Sequence, residues 1–159
     1  MKTETLFGHA WRCGMRKSQP VDMMALRLKA KKFAAENYAA SLMSNTKWRA
    51  LFNALEEAGI DAACSVKFIG DDKEFEIAVH PGLYPPHAYV NLWPLNVYPL
   101  VEIEWIEFRR IVRYRRDNNL PDKLVPQDID AIRAVIKNTG KRFPLEASED
   151  AIRIVGHVR

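Results

Sequence analysis

Apolar residues recur at helical spacing most clearly between residues 46 and 58. Five of them fall at positions i, i+3, i+4, i+7 and i+10, on one face of a helix: Trp48, Leu51, Phe52, Leu55 and Ala58. Ser44-Asn45-Thr46 before this stretch is typical of a helix start, and Gly59 after it is typical of a helix stop. The pattern therefore predicts a helix that buries one face in a core.

Two further helices are predicted from composition and spacing. The stretch Met23–Met43 is rich in Ala, Leu, Met and Lys, and Asp22 can cap its start. Its expected apolar stripe is thin and consists of Met24, Leu28, Ala35, Tyr38 and Leu42. Another helix follows Asp128, and its apolar face consists of Ile129, Ile132, Val135 and Ile136. We expect the Met23–Met43 helix to pack on the core, with binding of a partner as the alternative.

Alternating apolar and polar residues predict strands. Residues 62–80 read as a hairpin with Gly70-Asp71-Asp72 as its turn. Leu100–Phe108 reads as a strand in which the apolar positions change side after Trp105. Such a change indicates a bulge or a strand end.

Residues 80–99 combine five prolines with four aromatic residues. Proline is expected to prevent regular strand pairing through most of this segment, although Ala88–Leu92 can form a short strand. Long loops are uncommon and often functional, so Tyr84, Tyr89 and Trp93 are candidates for binding a partner. The alternative is that these aromatic side chains fold inward and cover the sheet.

Five arginines lie within the nine residues Phe108–Arg116. The pattern favours a helix here, with continuation of the preceding strand as the alternative. Arginine suits planar, bidentate contacts with carboxylates or phosphates. This makes four residues candidates for a binding surface: Arg109, Arg110, Arg113 and Arg116. The alternative is an ordinary charged surface, partly paired with nearby aspartates.

The order of these elements predicts an α+β fold. Two short strands at Arg142–Leu145 and Ala151–Val158 complete it. We expect a small antiparallel sheet, formed by the hairpin and the later strands and packed by two to four helices. Residues 1–42 are interpreted as a basic N-terminal extension, irregular and then helical. Residues 43–159 are interpreted as a single α+β domain.

Composition limits the class of protein without naming it. The chain has 159 residues, of which 48% are hydrophobic and 28% charged, as in one globular domain. It has no apolar run of about 18 residues, and its start lacks an export signal, so we expect a cytoplasmic protein without a membrane partner. The net charge of +4 comes from the first 42 residues, which hold eight basic and three acidic side chains. Such a basic segment suits an acidic partner, with a solvated extension as the alternative.

Few residues suggest catalysis. His80 and His87, with Glu102 or Glu104, are candidates for a metal or acid–base site. Ordinary solvated or hydrogen-bonded histidines are the alternative. Glu102 and Glu104 are also predicted to share one strand face, where paired carboxylates can serve as acid and base, with a polar sheet face as the alternative. Cys64, at the start of an apolar strand, is expected to be buried and inert. No glycine-rich phosphate loop or serine-nucleophile motif is present, and no cofactor or metal is expected.

Three short motifs resemble those of a family of small bacterial proteins of unknown function. They are Ser44-Asn-Thr-Lys-Trp-Arg49, Ile103-Glu-Trp-Ile-Glu-Phe108 and Ala151-Ile-Arg-Ile-Val-Gly-His157. The resemblance covers residues 43–159, and members of that family begin near Met43. The resemblance implies no particular activity. By analogy of size and composition alone, such proteins are similar to immunity proteins and antitoxins.

Three functions follow as hypotheses. The first is a non-enzymatic cytosolic protein that binds another protein, such as a bacterial toxin domain, through Tyr84, Tyr89, Trp93 and the arginines. The second is a nucleic-acid-binding regulator that uses the basic segment and the Arg109–Arg116 cluster. The third is a small enzyme of unknown reaction around His80 and His87.

Overall fold

The computed structural model describes residues 22–78, 82–84, 88–92 and 95–159. The described helices are α1 (Met23–Asn37), α2 (Asn45–Glu57) and α3 (Ile129–Asn138). The described strands are β1 (Ala40–Ser41), β2 (Ala63–Phe68), β3 (Glu74–Ala78), β4 (Gly82–Tyr84), β5 (Tyr89–Leu92), β6 (Asn96–Pro99), β7 (Ile103–Arg109), β8 (Ile111–Tyr114), β9 (Lys123–Pro126), β10 (Leu145–Ala147), β11 (Ala151–Val155) and β12 (His157–Val158).

A five-stranded antiparallel sheet forms the centre of the fold. Its strand order is β10-β11-β7-β2-β3, so the predicted hairpin supplies one half and the later strands supply the other. Three smaller pieces accompany it: β4-β5-β6, β8-β9 and β1-β12. The predicted α+β class is confirmed. The first of the two late strands lies further along the chain than predicted, at Leu145–Ala147.

One face of this sheet is buried against α2 and α3. The predicted stripe of α2 is almost fully buried at Trp48, Leu51, Phe52 and Leu55, whereas Ala58 is exposed because the helix has ended. Ser44 caps α2 by accepting a hydrogen bond from the Lys47 amide. The predicted face of α3 is buried at Ile129, Ile132 and Ile136, and these residues share one core with the sheet. Burial of this apolar surface is the main term that stabilises the fold.

The predicted bulge in the central strand is confirmed, but it lies at Glu104, before Trp105 and not after it. The register between β2 and β7 shifts between Lys67 and Phe68. As a result Ile103 and Ile106, three positions apart, are both fully buried in the core. The strand itself begins later than predicted, because Leu100–Glu102 form a 3-10 turn after Pro99.

The first helix is shorter than predicted. It ends at Asn37, and Tyr38 is already extended with ψ 145°. The backbone then pairs with the C-terminal strand, where the Ala39 amide donates to the Val158 carbonyl at 2.7 Å. Residues with good helical propensity therefore form β1, because pairing with a distant strand outweighs a local preference.

The buried face of α1 also differs from the predicted stripe. Met24 and Leu28 are 62% and 60% exposed, and of the predicted stripe Tyr38 alone is buried. The face that packs on the body instead carries Ala30 and Ala34. These small side chains let α1 lie close to its neighbours β6 and the 3-10 turn. A search for a stripe of large apolar residues therefore misses a buried face made of alanines.

The proline-rich segment forms more regular structure than expected. Its three short strands pair as β4-β5-β6, so the expectation that proline prevents most pairing is wrong. Pro99 lies at the very end of β6, opposite Tyr89, where a missing amide donor is tolerated. The predicted short strand at Ala88–Leu92 is confirmed as β5.

Candidate functional site

The arginine-rich segment is a strand and not a helix. Ile111–Tyr114 pairs with Lys123–Pro126 as a separate antiparallel ribbon, which we call the arginine hairpin (residues 111–126). The alternative of a continued strand is therefore correct. The chain reverses near Asn118 and Asn119, both at positive φ (63° and 55°), a conformation that asparagine tolerates better than most residues. Local charge spacing resembled a helix, but pairing with a second apolar stretch decides the structure.

The arginines at the base of the hairpin are held by the protein itself. Arg109 Nε donates to Glu107 Oε1 at 2.6 Å, and Arg109 Nη2 lies 3.3 Å from Glu74 Oε2. The pKa of Arg109 is raised, chiefly by its hydrogen bond to Glu107. Arg110 Nη1 lies 3.3 Å from Asp130 Oδ2, and its Nη2 donates to the Glu149 carbonyl at 2.7 Å. Both guanidiniums therefore pair with groups of the protein itself.

The outward face of the hairpin combines charge with exposed apolar surface. Because paired residues of an antiparallel ribbon share a face, Ile111 and Pro126 lie with Arg113 and Leu124. All four are exposed, Ile111 by 53% and Leu124 by 56%, whereas Val112 on the opposite face is buried. The Arg113 side chain is 73% exposed, and its ion pair with Asp122 is long, at 3.8 Å. This side chain is therefore largely available.

The tip of the hairpin also carries exposed apolar and basic side chains. Tyr114 is 42% exposed and Leu120 is 53% exposed. Arg116 is exposed, and its Nε donates to the Pro121 carbonyl at 2.7 Å, which orders the side chain. Residues 111–126 contain four basic and two acidic side chains. Apolar and cationic groups on one small ribbon form the strongest candidate binding surface in the described part of the chain.

The aromatic candidates lie elsewhere. Tyr89 is only 6% exposed, and its hydroxyl donates to the Met23 carbonyl at 3.0 Å, which fastens β5 to the start of α1. Tyr84 ends β4. Trp93, like His80 and His87, lies outside the described residues. The structure thus brings the arginines together but does not place Tyr89 among them.

The two candidate glutamates do not share a strand face, so that expectation is wrong. Glu102 lies in the 3-10 turn, and burial raises the pKa of its carboxyl to about 7. Glu104 lies in β7 at the bulge, where its carboxylate accepts from the Tyr38 hydroxyl at 2.8 Å and forms an ion pair with Lys67. The 3-10 turn after Pro99 and the bulge in β7 place the side chains of Glu102 and Glu104 in different environments. Glu104 is therefore bound within the structure and does not stand beside Glu102 as an acid–base pair.

Cys64 is buried as expected, and burial raises the pKa of its thiol far above the ordinary value. Within the described ranges, no group of three or more His, Cys, Asp and Glu side chains is arranged to hold a metal ion. No helix among these residues is long and apolar enough to cross a membrane.

Comparison with known proteins places the chain in a family. A family model described as "Family of unknown function (DUF6678)" matches residues 30–159. The chain therefore belongs to this uncharacterised family, as its short motifs indicated. The match begins within α1 rather than at Met43. No curated protein and no solved structure matches the chain.

Proposed function

We propose that this protein binds another protein through the arginine hairpin. The observation that supports this is the outward face of the hairpin, where exposed Ile111 and Leu124 flank the exposed side chain of Arg113. Four of the nine large hydrophobic side chains that are exposed in the described residues belong to this ribbon. Exposed apolar residues that cluster with arginine are typical of protein interfaces.

Charge complementarity indicates the character of the partner. The available arginines favour an acidic partner surface, because guanidinium groups pair with carboxylates in a bidentate manner. The aliphatic side chains favour a protein over a nucleic acid, because a phosphate backbone offers them no apolar contact. We therefore assign the partner as a protein whose contact surface carries carboxylates around an apolar patch.

The identity of the partner, the location of the protein and its lack of enzymatic activity are proposed on other grounds. A partner that is a toxin domain, with this chain as its immunity protein or antitoxin, rests on the analogy of size and composition alone. A cytoplasmic location and a non-enzymatic role are likewise expectations from the sequence. Binding of nucleic acid by the same arginines is the competing outcome that the experiment distinguishes.

The test compares matched variants in affinity purification from the source cells. The hairpin variant combines Arg113→Glu with Leu124→Ser, and the control combines Arg142→Glu with Leu145→Ser, which are exposed residues outside the hairpin. We expect a protein that is recovered with the wild type and the control but lost from the hairpin variant. Direct titration of that purified protein should then show affinity that falls at least about tenfold in the hairpin variant.

Two results would contradict the proposal. Equal recovery of the same protein with the hairpin variant would show that the binding surface lies elsewhere. Recovery of nucleic acid whose binding weakens steeply with salt and depends on Arg113 would favour the regulator instead. Thermal unfolding of each variant, followed by circular dichroism, shows that lost binding does not reflect lost folding.

A further inference from the structure

A separate cleft lies between α1, β1 and the start of α2. Its volume is about 360 Å³, within the range of small-molecule sites. Arg27 and Lys31 line it from α1, and Ser41 lines it from β1. Val101 and His157 of β12 also line it. This cleft is built from three segments that are distant in sequence.

The cleft carries positive charge that no described residue neutralises. Arg27 and Lys31 are one helical turn apart, so their side chains share a face of α1. None of the described residues that line the cleft is acidic, and neither cation forms an ion pair with a described residue. Lys32, next along the helix, is instead 4.0 Å from Glu36. Two cations on one wall of a concave surface concentrate anions there.

A hydroxyl and an imidazole complete the polar side of the cleft. His157 Nε2 lies 2.7 Å from the Val101 carbonyl oxygen, and a carbonyl can only accept, so this nitrogen carries a proton. His157 Nδ1 lies 2.8 Å from Ser41 Oγ. Burial lowers the pKa of His157, against smaller raising effects of the Val101 hydrogen bond and Glu104. In the neutral form Nδ1 therefore accepts from the Ser41 hydroxyl.

We propose that this cleft binds a small phosphorylated molecule, with its phosphate held by Arg27, Lys31 and the hydroxyl of Ser41. Two positive charges match a phosphate dianion better than a single carboxylate, and guanidinium and ammonium groups both bind phosphate oxygens. Ala34, Ala35 and Met43 also line the cleft and provide an apolar wall for the rest of the molecule.

Protonation of His157 makes Ser41 a donor to this phosphate. The imidazolium donates from Nδ1 to Ser41 Oγ, and the hydroxyl proton then turns to the anion. Other titratable or charged groups surround His157 and Ser41. The Tyr38 ring centroid lies 5.6 Å from that of His157, and the Arg159 guanidinium lies over the Tyr38 ring. The remaining groups are Glu104, Lys67 paired to Glu104, and the cleft cations Arg27 and Lys31. Glu104 favours the imidazolium, and the two cleft cations oppose it until an anion neutralises them. Binding should therefore take up a proton at His157.

The test uses inorganic phosphate and phenyl phosphate as probes, with amide chemical shifts in NMR as the readout. We expect saturable shifts in the first half of α1, at Ser41 and at His157, and tighter binding of phenyl phosphate because of the apolar wall. Arg27→Gln and Lys31→Gln should each weaken binding about tenfold or more. Lys32→Gln is the matched control, since it removes the same charge from the same helix outside the cleft.

Sulfate tests the proton uptake, because it remains a dianion throughout the range used. Its affinity should rise as the pH falls from about 7.5 to about 6, and Ser41→Ala should weaken binding and reduce this dependence, because only the part of the proton uptake that acts through the hydroxyl is lost. The proposal is overturned if none of the probes gives saturable shifts at the cleft. It is also overturned if Lys32→Gln weakens binding as much as Lys31→Gln, or if acetate binds as tightly as phosphate. All substituted side chains line the surface, and circular dichroism confirms that each variant folds.

Discussion

Replacement of Glu102 by glutamine should stabilise the protein at neutral and alkaline pH. Glu102 lies at a cleft of about 230 Å³ between α1 and the turn after β2, lined mainly by apolar side chains such as Leu26, Phe33 and Ile69. Burial there raises the pKa of the carboxyl from 4.5 to about 7. Glutamine keeps the shape of the neutral acid and cannot ionise, so it removes only the cost of burying a charge.

The magnitude follows from that pKa. At 1.36 kcal/mol for each pKa unit, a rise from 4.5 to about 7 corresponds to at most about 3 kcal/mol. Below pH 4.5 the carboxyl is protonated in the folded and unfolded protein alike, and the cost is absent. Between 4.5 and about 7 the unfolded chain ionises first, so the free energy of unfolding of the wild type falls as the pH rises. Above about pH 7 the whole cost is present.

The assay is urea unfolding of the wild type and Glu102→Gln between about pH 5 and pH 8. The difference in free energy of unfolding should grow with pH in favour of the variant and level off above about pH 7. Glu56→Gln, at an exposed position of α2, is the control and should show no such trend. A difference that does not change with pH would refute the reasoning, as would an NMR titration of Glu102 centred near 4.5.

Three further substitutions test a close backbone contact, a helix cap and a shared ion pair. Gly156→Ala should destabilise the fold by about 3 kcal/mol or more in thermal unfolding, because its Cβ would overlap the Ile103 carbonyl oxygen of the neighbouring strand; a mild effect would mean that the strands separate easily. Asp128→Ala should cost about 1 kcal/mol in urea unfolding through loss of the cap at the Ala131 amide, with Asp128→Asn largely neutral. Glu107→Gln should cost about 1 to 3 kcal/mol, because it leaves two guanidiniums without their shared carboxylate, and raised salt should reduce the difference from wild type.

The candidate surfaces could be predicted from the sequence only in part. The sequence shows the arginine cluster, but it does not show which of these arginines pair within the protein and which remain exposed. Arg109 pairs with Glu107, two residues away on the same strand, and this pairing follows from the spacing. Its contact with Glu74, and those of Arg110 with Asp130 and the Glu149 carbonyl, join distant parts of the chain, and no spacing indicates them. The phosphate cleft had no sequence signal, since Ser41 and His157 are 116 residues apart and meet only because β1 pairs with β12.

The sequence alone determined the elements whose signals are local. Trp48 and Leu55 define the buried face of α2, caps at Ser44 and Asp128 begin two helices, and the change of side within Leu100–Phe108 indicates the bulge, which lies one residue before Trp105. Periodicity and caps are set by neighbouring residues, so they can be read directly. The tertiary structure decided the elements in which strand pairing opposes the local helical preference of the residues. Residues beyond Asn37 form a strand because they pair with the distant β12, and the arginine segment forms a strand because it pairs with β9, the next strand along the chain. In both cases backbone hydrogen bonds across the pair outweigh small differences in local propensity.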